Sequence, residues 1–124
     1  MASIEKVPPE VEARLRKLRE IQASLDRMVR DRSVLLASLN EIDRVLKELQ
    51  ELGEDVEVYK NLGVVLVKTN KDQVIKELEE KKESLEVKLK GLNSAIEKLQ
   101  EEAKRLEEEI RRLIAGGGRP AAGG

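Results

Sequence analysis

The sequence predicts an all-α dominated fold: a long antiparallel two-helix coiled coil whose helices are joined by one small β-hairpin. Three observations predict it. Charged residues make up 40% of the 124 residues and aromatics 1%, with no Phe and no Trp. A compact core normally draws much of its buried area from aromatics, so this chain must bury its apolar surface along helices, as a composition rich in Glu, Lys, Arg and Leu suggests. Apolar residues recur at three-four spacing in two long runs, the pattern of a coiled-coil seam. Between the runs lies a stretch dense in Val, a residue that favours strands.

Residues 1–9 read as a short leader closed by Pro8-Pro9. Proline suits the first turn of a helix and disfavours helix in the residue before it, so the first helix is expected over 10–52. Its seam runs Leu18, Ile21, Leu25, Met28, Arg32, Leu35, Leu39, Ile42, Leu46, Leu49, and only Arg32 interrupts it. Val11, Leu15, Val29 and Leu36 widen the stripe on an adjoining face. Gly53 stands just past Leu52, where helices commonly end in a left-handed residue. Asn70 announces the second helix, expected over 71–114, because Asn is a preferred N-cap and Gln73 can complete a capping box. The second seam runs Ile75, Leu78, Lys82, Leu85, Leu89, Leu92, Ile96, Leu99, Ala103, Leu106, Ile110, Leu113, with Lys82 its polar member. Arg32 and Lys82 either fix the register or snorkel outward.

Each helix would be ~60–65 Å long at 1.5 Å per residue. On the outer faces Glu is followed four residues later by Lys or Arg, as in Glu10 with Arg14, Glu12 with Arg16, Glu77 with Lys81, Glu86 with Lys90, Glu101 with Arg105, Glu107 with Arg111 and Glu108 with Arg112. Such pairs contribute ~0.2–0.5 kcal/mol each. Equal lengths and a short connection predict antiparallel pairing, with Leu49 near Ile75 and Val11 near Leu113. Residues 115–124 read as a flexible Gly-rich tail.

Reversing the chain needs only ~2–8 residues, so the segment 56–69 asks for a further reason. Two strands are expected, Val56–Leu62 and Val64–Thr69, turning at Asn61-Leu62-Gly63 with Gly63 at positive φ. Ordering them costs roughly 1–2 kcal/mol per residue in backbone entropy. Val56, Val58, Tyr59, Leu62 and the run Val64, Val65, Leu66, Val67 return ~1.5–3 kcal/mol each only if water leaves them. A two-stranded hairpin is marginal alone, and open apolar edges invite pairing. Oligomerisation through this hairpin, including Gly63, is the expected solution; the alternative is a hairpin folded onto its own coiled coil.

Several function classes drop out. With 24 basic and 25 acidic residues the formal charge is -1, which lacks the dominant basic field that nucleic acid or an anionic membrane requires. There is no Cys and no His, so the strongest nucleophile and the commonest general base are missing, and no zinc-thiolate site is expected. No catalytic residue, metal or cofactor is expected. Tyr59 reads as packing within a shared sheet. No apolar run approaches the ~20 residues of a membrane helix, and the N-terminus lacks a signal-peptide pattern; a cytoplasmic location is expected.

The chain resembles the prefoldin β subunit. The matching pieces are Val7-Pro8-Pro9-Glu10-Val11, Glu57-Val58-Tyr59-Lys60-Asn61-Leu62-Gly63, Leu66-Val67-Lys68, and Lys71-Asp72-Gln73-Val74-Ile75-Lys76-Glu77-Leu78. The resemblance spans roughly residues 7–114, and room for one hairpin rather than two places it with the β-type subunits. It implies a hexamer of two α and four β subunits whose hairpins build oligomeric β-barrels. It further implies an ATP-independent chaperone that holds unfolded polypeptides at the coiled-coil tips and delivers them to a group II chaperonin. Arg14, Arg16, Lys17 and Arg19 depart from the family's Gln-rich first helix.

Client-binding candidates at the tips are Ile4, Val7, Val11, Leu15 and Leu18 on the N-terminal side and Leu106, Ile110, Leu113 and Ile114 on the C-terminal side. Seam residues at a helix end have fewer neighbours and fray more readily; equally, Leu15, Leu106 and Ile110 read as ordinary seam residues occupied by each other. Two other readings compete. An RNA-binding coiled-coil arm would need a basic face, and a passive spacer would have no use for residues 56–69.

Overall fold

A computed structural model describes residues 7–117. The elements in order are α1 (Pro9–Glu51), β1 (Val58–Asn61), β2 (Leu66–Thr69) and α2 (Lys71–Gly117). The fold class is the one the sequence predicts: two long helices and one small antiparallel hairpin. The chain forms two compact units. Among the described residues, one takes 7–30 together with 93–117; the other is Asp31–Leu92.

α1 opens on Pro9, and Glu12 N–H donates to Pro8 O at 2.9 Å. Proline at this position loses no hydrogen bond, since its N–H would have no partner inside the helix. Glu10 and Glu12 in the first turn face the positive end of the helix dipole favourably. In the first unit Val11, Ile21, Leu25, Ile96, Ala103, Leu106 and Ile110 are buried. Arg14 crosses between the helices there, its Nε 3.1 Å from Glu109 Oε1. In the second unit Leu39, Ile42, Leu46 and Leu49 of α1 form the buried side, while Ile75, Leu78, Leu85, Leu89 and Leu92 of α2 are half-buried.

Of the seam interruptions, Lys82 reaches across to α1, its Nζ 2.7 Å from Asp43 Oδ1, with a half-buried side chain. Arg32 is also half-buried. Of the expected surface pairs, Glu108 and Arg112 meet at 3.6 Å. Arg14 turns instead to Glu109, Arg111 to Glu108 at 3.0 Å, and Glu77 to Lys60 at 3.0 Å. Arg14 and Glu77 thus pair with a neighbouring element, whereas Arg111 stays on its own helix at i,i+3 spacing.

The helix ends correct three expectations. Gly53 does not take a left-handed conformation; Gly63 is the glycine at positive φ among the described residues. α1 instead tightens at its end, with Leu52 N–H donating to Leu49 O at 3.2 Å. The capping box at α2 forms by half: Asn70 Oδ1 accepts from Gln73 N–H at 2.8 Å, but the Gln73 side chain turns forward to Glu77 Oε1 at 3.2 Å. α2 runs past Ile114 to Gly117, into the segment expected as tail, because extending a formed helix adds one hydrogen bond per residue without a new nucleus.

Candidate functional site

The hairpin is built from two short strands in the antiparallel register Val58 with Thr69, Tyr59 with Lys68, Lys60 with Val67 and Asn61 with Leu66. The strands are shorter than the sequence suggests, and Val56, Leu62, Val64 and Val65 lie outside them. The turn is centred on Gly63 and Val64, closed by Leu62 N–H donating to Val65 O at 2.9 Å. Gly63 has φ 101°, at the first central position, where a hairpin turn twisting with its strands needs a residue free of Cβ strain. Asn61 Oδ1 accepts from Gly63 N–H at 2.8 Å, the local bond by which Asn initiates a turn. Turn chemistry at Asn61 and Gly63 therefore overrides the strand preference of Val64 and Val65.

Few of the hairpin's apolar groups are covered by the chain itself. Val64 is 96% exposed, Leu66 66%, Leu62 and Val65 54% each, and Tyr59 51%. Val56 and Val67 are also exposed, and Val58 is half-buried. Most of the hairpin's apolar surface is therefore left uncovered by its own coil. Strand alternation puts Tyr59 and Leu66 on one face and Val58 and Val67 on the other. Each apolar residue of β2 faces a polar partner across the ladder, so neither face is uniformly apolar. Tyr59 OH donates to Glu57 Oε2 at 2.9 Å.

Polar contacts fix the hairpin at its flank and base. Lys60 Nζ donates to Glu77 Oε2 at 3.0 Å. The Glu77 carboxyl is held below its ordinary value, first by the hydrogen bond from Gln73 and then by that from Lys60. Beside this pair, Tyr59, Lys60, Val74, Glu77, Leu78 and Lys81 line a groove of about 410 Å³. At the base, Lys71 Nζ donates to Leu52 O at 2.9 Å and lies 3.4 Å from Glu54 Oε1. Sequence reasoning passed over Lys60, Glu77 and Lys71 as surface charges. The available signal was Lys71 itself, a cation in the first turn of a helix, where the dipole disfavours it.

The tip candidates divide. Val11, Leu106 and Ile110 are buried in the first unit's seam, at 2%, 9% and 9% exposure. Leu15, Leu18 and Leu113 are half-buried. Val7 and Ile114 are exposed, at 48% and 61%. Ile4 lies outside the described residues. Leu106 and Ile110 thus lie in the seam, one of the two readings the sequence left open for them, and Val11 lies there with them: the seam continues to within two turns of either helix end. Among the described residues no three metal-capable side chains converge, and no helix is long and apolar enough to cross a membrane.

A helical seam joined to a hairpin that leaves much of its apolar surface exposed is the architecture of a coiled-coil protein with a surface open to partners. Comparison with known proteins names the group. Residues 12–117 match the family model of the prefoldin subunit. The chain is 36% identical over 96 residues to prefoldin subunit beta of Pyrococcus abyssi, covering 77% of this chain and 82% of that one. It is 40% identical over 95 residues to prefoldin subunit beta of Sulfolobus acidocaldarius, covering 77% and 76%. The crystal structure of the prefoldin beta subunit from Thermococcus strain KS-1 superposes with a TM-score of 0.84 at 36% identity, covering 94% of this chain and 99% of that one. The chain belongs to the prefoldin subunit family. It is a chaperone subunit of the kind that assembles with other prefoldin subunits.

Proposed function

We propose that this chain is the β-type subunit of a hexamer of two α and four β chains, which holds unfolded polypeptides without ATP and passes them to a group II chaperonin in the cytoplasm. The observation that carries the assembly half is the hairpin, whose Val64 is 96% exposed and Leu66 66%. At ~25 cal/mol per Å² of apolar surface removed from water, covering these groups favours partners over solitude. Client holding falls to the helix ends of the first unit. Val7 and Ile114 are the exposed apolar pair there, each able to give an unfolded chain a weak contact that several arms multiply by avidity. The subunit acts by binding and release, and no side chain is assigned a catalytic role.

The test is light scattering as a denatured protein is diluted into buffer with the subunit assembled alongside its α-type partner. Aggregation should fall as the assembly is added, and no suppression at any ratio would defeat the holding function. Substituting Val7→Ser with Ile114→Ser should leave the assembly's mass unchanged and weaken suppression. These two are better probes than a truncation through residue 110, which would remove buried Ile110 and fray the seam. Unchanged suppression in the double variant would place the client surface elsewhere.

A further inference from the structure

Lys71 occupies a position that helix electrostatics alone do not explain. It is the first residue of α2, directly after the N-cap Asn70, where the helix dipole favours anions. α1, by contrast, has no basic residue in its last turn, where a cation would be favourable. The geometry joins the two facts. The Lys71 ammonium reaches from the start of α2 to the end of α1 and donates to Leu52 O at 2.9 Å, with Glu54 Oε1 3.4 Å away. Its side chain is 13% exposed, far less than the other lysine that steadies the hairpin, Lys60, at 49%. One cation thus caps the open carbonyl end of α1 from across the chain reversal.

We propose that Lys71 is a positioning residue that sets the direction in which the hairpin leaves the helices. Both chain crossings into residues 52–71 meet at its ammonium: Leu52 on the way out and Lys71 on the return. The hairpin's exposed apolar groups give it little packing against its own helices, so its orientation rests on polar contacts. Of these groups the Lys71 side chain is the least exposed, at 13%, and its bond to Leu52 O has a charged donor, which makes it stronger than a bond between neutral groups. Lys60 with Glu77 adds a second, more exposed point that alone is worth little. Orienting the hairpin before partners arrive removes an ordering cost from association; this last step rests on the assembly reading above.

The chain contains no Cys, so a spin-label pair at Lys68→Cys and Glu83→Cys reports the hairpin's position against α2 without interference. Distances by pulsed dipolar spectroscopy on the full chain should form one narrow distribution. Lys71→Met, which keeps length and removes charge and donor, should broaden it at unchanged helix content. Lys71→Arg, which keeps both, should restore it. An equally narrow distribution in Lys71→Met overturns the proposal, as does a broad one in Lys71→Arg. With an α-type subunit added, Lys71→Met should require about tenfold more partner for half-assembly, the order expected from losing one charge-assisted bond; equal affinity would also overturn it. A parent chain that forms no complex would count against the assembly reading, and the distances in the chain alone would still decide the role of Lys71.

Discussion

Leu66→Asp separates folding from association, and its magnitude follows from exposure. Leu66 is 66% exposed in the chain, so about a third of its side chain is covered. Full burial of a leucine is worth roughly 1.5–3 kcal/mol, so the chain by itself loses only about 0.5–1 kcal/mol. In an assembly that covers the hairpin, the remaining two thirds, about 1–2 kcal/mol, is lost at each interface. The new carboxylate must also leave water, at a further cost of at least about 1–3 kcal/mol. At 1.4 kcal/mol per tenfold, the dissociation constant rises by roughly two orders of magnitude or more. Circular dichroism should find the helix content intact, and sedimentation velocity should find the complex lost at concentrations where the parent is fully assembled. An intact complex in the variant would refute the claim that this face of the hairpin is the shared surface.

Three further outcomes follow from the geometry. Asn70→Ala removes the acceptor of Gln73 N–H and should destabilise α2 by about 1 kcal/mol in urea unfolding, with Asn70→Asp nearly neutral. Ile96→Ala, at a side chain 2% exposed, should cost about 2–5 kcal/mol, whereas Val87→Ala on the same helix, 68% exposed, should stay within about 0.5 kcal/mol; equal effects would contradict the seam assignment. The folded-state pKa of Glu77 lies below 4.5, so its contribution is present above that value and is lost as pH falls through the lowered folded value. Protection factors of hairpin amides should accordingly fall as pH drops below the ordinary carboxylate range, with a smaller change in Glu77→Gln.

Long-period features were legible in the sequence, and short-range competition was not. Leu39, Ile42, Leu46 and Leu49 fall into a buried seam because three-four spacing sums over many turns, and no single residue decides the outcome. Asn70 was readable as a cap because its side chain bonds within its own turn. The hairpin's limits misled because Val64 and Val65 favour strands while one bond from Asn61 and one glycine decide where the chain turns. The partners of Lys82 and Lys71 were unreadable for a different reason. Asp43 lies on the other helix and Leu52 just past its end, and a charged residue's partner across a reversal is set by register rather than by spacing. At the tips, the pattern named the seam correctly but not where exposure begins, since Val11 is 2% exposed and Val7 48%.

The contrast between seam and hairpin separates the apolar groups that the chain covers by itself from those it leaves for a partner. Ile21 at 4% and Ile96 at 2% exposure have almost no apolar surface left for a partner to cover, so association cannot add much along the seam. Val64 at 96% has gained almost nothing from folding and retains nearly its whole transfer free energy for association. On the proposed assembly, folding energy and association energy are carried by different residues, in segments with different periodicity. Seam substitutions should move the unfolding midpoint and leave association nearly unchanged, and hairpin substitutions should do the reverse, adding independently because distant sites without shared partners rarely couple. The polar contacts at Lys71 and Lys60 stand where these two systems join, which is why small changes there are expected to reach the assembly without melting the coil.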